Sequence, residues 1–392
     1  MPWGPFTNVT EQRANFLGSG TVPVDSLPFG QSAYGCYHMA GNVSEWCRNE
    51  SAETAWSFAV TGGSWADPPY LFGRYGPYPG AFSADKLGFR CVLVSAKKSG
   101  DQGAQAIFAP SDIPVYQPVS DEKFRSWQNV YQYDTTAPLD AQLVEVKETA
   151  DWRREKVTYN GAAGARAIAY LYLPKNYPSP WQLIQFTPGF DVYRGDRTLT
   201  ERVEASMSPF IKSGRAVLTV VLAGFVERER PPDFARPTGN TLEYRDLILQ
   251  EMVDGRRGLD YALSRGDLDA TRVAYYVASS GPGRKILLAA MEPRYRAIVM
   301  IGGGFYQSDT LVYPEINPVN LAPRIRPPKL LIQGRYDENM TMHTDAEPYR
   351  QLLREPKQIF WFDGGHTPAP EISVPPINAW LDKWLGPVNK GS

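Results

Sequence analysis

From about residue 146 onward, short apolar runs alternate with amphipathic stretches. Seven runs read as strands: 167–173, 181–187, 216–222, 273–278, 297–301, 329–333 and 358–362. Several, such as AVLTVVL at 216–222, are apolar without a polar alternation. That is the pattern of a parallel strand covered on both faces. Helical periodicity occupies 243–265 and 284–291, and INAWLDKWLG at 377–386 reads as an amphipathic helix with a glycine stop. Repeated βα alternation predicts a three-layer α/β domain over 146–392. Residues 1–97 differ: Gly, Pro, Ser and aromatics punctuate short apolar runs, which predicts a small irregular α+β domain. Between the two, 98–145 reads as a connecting segment. It opens on the small, polar stretch SAKKSGDQGAQ (95–105) and carries one short helix in 120–131, capped by Ser120 or Asp121.

Composition narrows the function classes. A chain of 392 residues suits two domains. Its 41 basic and 42 acidic side chains leave no net field for nucleic acid or an anionic membrane. No apolar run approaches the roughly 20 residues that span a bilayer. MPWGPFTNVTEQ lacks the basic and apolar regions of a signal peptide, so a cytoplasmic chain is expected. The three cysteines, Cys36, Cys47 and Cys91, form no C-x-x-C, which argues against zinc and against a disulfide framework. A single Cys47–Cys91 bridge stays open. Histidine-dependent chemistry has only His38, His343 and His366 to draw on.

The candidate chemistry lies at strand ends. RVAYYVASSGPGRKILLAAM (272–291) reads as strand, tight turn and helix with two serines at the turn, the way many hydrolases present a nucleophile. Either Ser279 or Ser280 fits the spacing. Asp337 follows the strand KLLIQ, and His366 sits in DGGHTP after QIFWF. The order serine, acid, histidine is that of an α/β-hydrolase triad: imidazole takes the serine proton, and a carboxylate fixes its tautomer and stabilises its cation. Asp363 is a rival acid, and a Gly-Gly-His turn with a surface histidine is the plainer reading of that loop. His343 reads as a surface residue at a helix start. The loop FTPGFDV (186–192) offers the N–H of Phe190 or Asp191 as an oxyanion donor, beside that of Ser280 if Ser279 attacks. Tyr193, Arg194, Phe305 and Tyr306 are expected to line the substrate pocket. This chemistry calls for no cofactor and no metal. Its partner is a small-molecule ester, and the oligomeric state is left open.

Residues 110–390 resemble the hydrolase-like region at the C-terminus of certain large bacterial proteins, where it follows a serine/threonine kinase domain and a formylglycine-generating-enzyme-like domain. The resemblance rests on YDTTAPLDAQLVE, DWRREKVTYNGAAGARAIAYLYLPKN, NPVNLAPRI, LIQGRYDENM and FDGGHTP. It implies the dienelactone-hydrolase branch of the α/β hydrolases and cleavage of a carboxylic ester through an acyl-enzyme. A lactone or amide substrate, or a weakened hydrolase fold serving as a binding or regulatory module, are the alternatives. Laid on YYVASSGPGR, the family's elbow Y-Y-G-x-S-x-G-G-R puts its serine at Ser279, with Val277 where the family has glycine.

Residues 17–94 resemble the C-terminal part of the formylglycine-generating-enzyme (sulfatase-modifying factor) domain, through GTVPVDSLPFGQSAYGCYHMAGNVSEWC, VTGGSW and LGFRCVLV. The resemblance implies a partial C-type-lectin-like fold and a truncated domain. GGSWADPPYLFGRYG lacks that family's catalytic cysteine pair, so formylglycine generation and copper binding are not expected. In relatives the AGNVSEW turn can hold calcium, which makes Asn42 and Glu45 candidates, beside the plainer reading that they brace the turn.

Overall fold

The computed structural model describes residues 1–4, 12–50, 57–92, 113–189, 198–223, 227–228, 239–279 and 285–389, with the backbone alone at 307–308. It divides into two compact units. One holds the described residues of 1–112 together with 334–342 and 363–367, and the other holds the rest.

In the larger unit nine strands form one sheet: β5 (Gln142–Glu148), β6 (Trp152–Asn160), β7 (Arg166–Pro174), β8 (Trp181–Thr187), β9 (Arg215–Val221), β10 (Leu268–Ala278), β11 (Tyr295–Ile301), β12 (Lys329–Gly334) and β13 (Lys357–Phe362). Their spatial order is β13-β12-β11-β10-β8-β9-β7-β6-β5. Neighbours from β9 through β8, β10 and β11 to β12 run parallel, and β5, β6 and β7 continue the sheet antiparallel. All seven expected strands are present. The two additional ones, β5 and β6, are rich in charge: QLVEVKE is exposed at nearly every position and is held by its ladder to β6. A strand at a sheet edge needs no apolar face, which is why periodicity does not reveal it.

The central strands are buried on both faces because successive side chains point to opposite sides. On β10, Val273, Tyr275 and Val277 enter one apolar cluster, while Ala274, Tyr276 and Ala278 enter the other. The first cluster is closed by the helices Leu242–Ser264 and Ile286–Met291, the second by Leu199–Lys212 and Pro370–Leu385. Layers of helix, sheet and helix follow. The 199–212 helix begins with a capping box, Thr198 and Glu201 satisfying each other's backbone N–H. The expected glycine stop is Gly386, at φ 79°. Ser120 is the cap of the short helix Asp121–Arg125, accepting from the Lys123 N–H at 3.1 Å.

In the smaller unit β1 (Ser44–Glu50), β2 (Ser57–Thr61), β3 (Tyr75–Pro79) and β4 (Leu87–Gly88) form a sheet in the order β3-β2-β1-β4. The open Cys47–Cys91 bridge is not made, and all three cysteines are free thiols. Pairing of β1 with β4 stops at Glu45↔Gly88, so Cys47 and Cys91 lie past the last rung that would hold them together.

Val277 stands where the resembled family has glycine, and the fold accommodates it: the residue is fully buried, beside Thr187 on β8 and Met300 on β11. Val277→Ala is expected to cost about 2 kcal/mol through lost burial and the cavity left behind. Urea denaturation checks this, and an unchanged midpoint would contradict the packing.

Candidate active site

Ser279 is the first residue after β10, so it leaves the carboxyl edge of the parallel strands, where open α/β sheets bind their ligands. Its φ is +56°, and its N–H donates to Ile301 O at 2.7 Å. A left-handed conformation costs a non-glycine residue about 1–2 kcal/mol, so the turn is held by its surroundings and not by local preference. Two bonds fix the neighbourhood. The Tyr275 hydroxyl donates to Thr187 Oγ1 at 3.0 Å, and Lys285 Nζ donates to Pro188 O at 2.8 Å. Together they tie the strand before the serine to the end of β8, and the helix start after it to the first residue beyond β8.

Asp337 and His366 lie on the loops that follow β12 and β13. Both are buried, and His366 Nδ1 stands 2.9 Å from each carboxylate oxygen of Asp337. Asp337 Oδ1 also accepts the backbone N–H of Asn339 at 2.9 Å and of Met340 at 2.7 Å, which fixes the carboxylate before the imidazole is considered. A carboxylate at Nδ1 requires the proton there, leaving Nε2 as the basic atom. Nε2 faces Asn339 Nδ2 at 3.2 Å, an amide donor suited to that lone pair. The rival acid, Asp363, is exposed and pairs with Arg335 at 3.1 Å.

Glu338 was not singled out by sequence reasoning. Its carboxylate accepts the backbone N–H of His366 at 3.2 Å. The residue keeps some accessible surface, yet loss of hydration, then the charges of Asp337 and Asp67, push its carboxyl up to about 7, with His366 acting in the opposite direction. Tyr78 is raised well above the ordinary phenol range by burial first and then by Glu338, Asp67 and Asp337. The two loops are closely apposed. A Cβ at Gly334 would fall 2.2 Å from Gly365 O, and one at Gly365 would fall 2.5 Å from Glu338 Oε2 and 2.6 Å from the Tyr78 hydroxyl. No linear signal marks Glu338 or Asn339, which follow Asp337 in the turn after β12.

The remaining candidates divide three ways. Ser280, Phe190, Asp191, Tyr193 and Arg194 lie outside the described residues. Contrary to expectation, Phe305 does not face a pocket mouth: it is fully buried, with its ring 5.5 Å from Tyr116 and 4.9 Å from Tyr349, because the loop after β11 folds back into the core. Tyr306 is half-buried. Asn42 Oδ1 accepts from Val22 N at 2.8 Å and Asn15 Nδ2 at 3.2 Å, and both carboxylate oxygens of Glu45 accept from Arg90. Both side chains therefore brace backbone and strand.

Residues 2–94 match the family model of the sulfatase-modifying factor enzyme 1-like domain. No curated protein matches the sequence. Among solved structures, an acetyl xylan esterase from Paenibacillus sp. R4 superposes with a TM-score of 0.54 at 19% identity, over 69% of this chain and 97% of that one. The acetyl xylan esterase 1 of Thermoanaerobacterium sp. JW/SL YS485 gives 0.53 at 18%, over 69% and 99%. A cold-adapted esterase from an Arctic intertidal metagenomic library gives 0.50 at 15%, over 62% and 99%. The protein thus combines an α/β-hydrolase fold with an N-terminal sulfatase-modifying-factor-like domain.

Glu338 makes stability depend on pH with a definite sign. Its folded pKa, about 7, lies above the ordinary value of 4.5, so between the two the folded state binds more protons than the unfolded one. The contribution is complete below the ordinary value and is lost as pH rises through about 7. Urea midpoints measured from pH 5 to pH 8 should fall less steeply in Glu338→Gln than in the wild type. Parallel curves would contradict the assignment.

Proposed function

We propose that the protein is a serine hydrolase that cleaves a carboxylic ester, with Ser279 as nucleophile, His366 as base and then acid, and Asp337 as its orienting carboxylate. The observation that carries the reading is the buried Asp337–His366 pair, with Nδ1 2.9 Å from both carboxylate oxygens and Nε2 left as the basic atom. Topology supports the serine: β10 and β12 are both parallel to β11 between them, so Ser279 and the Asp337 loop leave the same edge of the sheet. The left-handed φ of Ser279 is the strained turn that a nucleophile elbow requires, and it favours Ser279 over its neighbour.

In this reading Nε2 takes the hydroxyl proton as Oγ of Ser279 attacks the acyl carbon. The imidazolium, steadied by Asp337, returns that proton to the departing alkoxide. Water then repeats the sequence on the acyl-enzyme. The backbone N–H groups of Ser280 and of Phe190 or Asp191 are proposed as oxyanion donors from their sequence positions alone. Because Asn339 Nδ2 donates to Nε2, general-base action requires that bond to be exchanged for the serine hydroxyl. No cofactor enters this chemistry. The superposed esterases favour small ester substrates, and an acetyl ester is the natural first choice.

The alternative reading is a hydrolase fold that serves recognition without turnover. Fluorophosphonate labelling separates the two, since an enzyme labels at one serine and an idle module does not. With p-nitrophenyl acetate, Ser279→Ala should lower kcat by about 10³-fold or more, and Asp337→Asn by about 10⁴-fold. Ser280→Ala should stay within about tenfold of the wild type, because its backbone N–H remains. Loss of activity at Ser280 with retention at Ser279 would move the nucleophile by one residue.

A further inference from the structure

We propose that Glu338 is a positioning residue, which couples the N-terminal sulfatase-modifying-factor-like region to the histidine by gripping the backbone N–H of His366. The inference rests on the hydrolase reading above and assigns that region a part in catalysis.

Glu338, His366 and the N-terminal residues belong to one compact unit, because 334–342 and 363–367 cluster with the N-terminal region. Three kinds of contact define the arrangement. The first is aromatic: Tyr336, two residues before Glu338, lies 5.1 Å from the Tyr78 ring and 5.7 Å from the Phe82 ring. The second is steric. Gly76 on β3 has room for no side chain, since its Cβ would fall 2.9 Å from Tyr336 O, and Gly365 is held at the same closeness to Tyr78 and Glu338. The third is polar. Glu338 enters a pocket walled by Asp67, Arg74, Gly76, Tyr78 and Lys86. That pocket has a volume of about 40 Å³, room for a water or two and not for a substrate.

The pocket's charges are themselves fixed. Asp67 Oδ2 accepts from the N–H of Ser64 at 2.8 Å and from its hydroxyl at 2.6 Å, while Oδ1 lies 3.7 Å from Lys86 Nζ. The groups facing Glu338 are thus Asp67, Arg74, Lys86 and Tyr78 from the N-terminal region, and Asp337 and His366 from the two loops. From this setting Glu338 reaches the main chain of His366, while Asp337 holds the ring. One carboxylate orients the imidazole and the next in sequence locates its Cα.

This division of labour has a kinetic signature. Losing the grip displaces the base in the transition state but removes no substrate contact, so kcat falls and KM stays. Losing the charge but keeping an acceptor spares kcat. It also removes a negative neighbour of the imidazolium, and the acid limb of the pH profile moves to lower pH.

The test compares the full-length wild type, Glu338→Ala, Glu338→Gln and Ser279→Ala with p-nitrophenyl acetate from pH 5.5 to pH 9, and follows fluorophosphonate labelling rates. Glu338→Ala should lose about tenfold or more in kcat and in labelling rate, with KM within about twofold. Glu338→Gln should recover kcat to within about twofold and shift the acid limb downward. An inactive Ser279→Ala beside a Glu338→Ala with wild-type kcat and pH profile overturns the inference and leaves the hydrolase reading standing. An active Ser279→Ala overturns both. If Glu338→Ala does not fold, the Glu338→Gln profile decides, and an unmoved acid limb overturns the inference.

Discussion

A carboxylate and an imidazole buried together constrain everything around them. Asp337 and His366 have almost no contact with solvent, so each must be satisfied by the other and by nearby donors. An unpaired buried charge costs several kcal/mol, and this cost sets the tolerance on the two loops. The backbone N–H groups of Asn339 and Met340 donate to the carboxylate, and Asn339 Nδ2 faces the imidazole. The sheet supplies the other half of the constraint. Because β10, β11 and β12 run parallel and are buried on both faces, their ends cannot slide against one another without turning apolar side chains outward. Rigid strands carry the loops, and buried polar pairing fixes their tips.

Strands whose sides are both covered were legible in the sequence, because β-branched and aliphatic runs leave no other reading. That is why β7 through β13 were found within a residue or two, except that β10 begins five residues early, in the polar stretch LDATR. The outer strands β5 and β6 were missed: β5 is held by hydrogen bonding to its neighbour without an apolar face, and in the charged run of β6 only Val157 and Tyr159 are apolar and fully buried. The helix 199–212 was missed as well: its five buried positions are spread among polar residues, and Pro209 interrupts its last turn. At the candidate site, chain order and strand ends pointed to Asp337, His366 and a serine at 279 or 280, and the resemblance to the Y-Y-G-x-S-x-G-G-R elbow chose Ser279. Nothing in a linear pattern could point to Glu338 or Asn339, because their roles depend on which backbone N–H and which ring nitrogen the fold brings within reach. Phe305 was misplaced for the same reason, an aromatic in a glycine-rich loop being equally suited to a mouth or to a core.

The N-terminal region is held together by polar contacts of its own. Its sheet and its Asn42 and Glu45 turn are maintained by hydrogen bonds and an Arg90 fork, so its architecture stands independently of any cysteine chemistry. What the region contributes is a set of walls: the flat backbone at Gly76, the rings of Tyr78 and Phe82, and the anchored charge of Asp67. A wall of this kind imposes position and dielectric environment on whatever packs into it, which is how the Glu338 carboxyl, beside Asp337 and Asp67, is raised well above the ordinary carboxylate range.

The glycines at the loop crossing carry a consequence for how such a protein can be altered. A Cβ at Gly334 meets the carbonyls of Gly364 and Gly365, and a Cβ at Gly365 meets Glu338 and Tyr78. The loops after β12 and β13 therefore share a single seam with no slack. Loop exchange between related proteins, in the laboratory or through recombination, would have to move both segments together with the β3 strand that abuts them. The three stretches, far apart in sequence, behave as one heritable part.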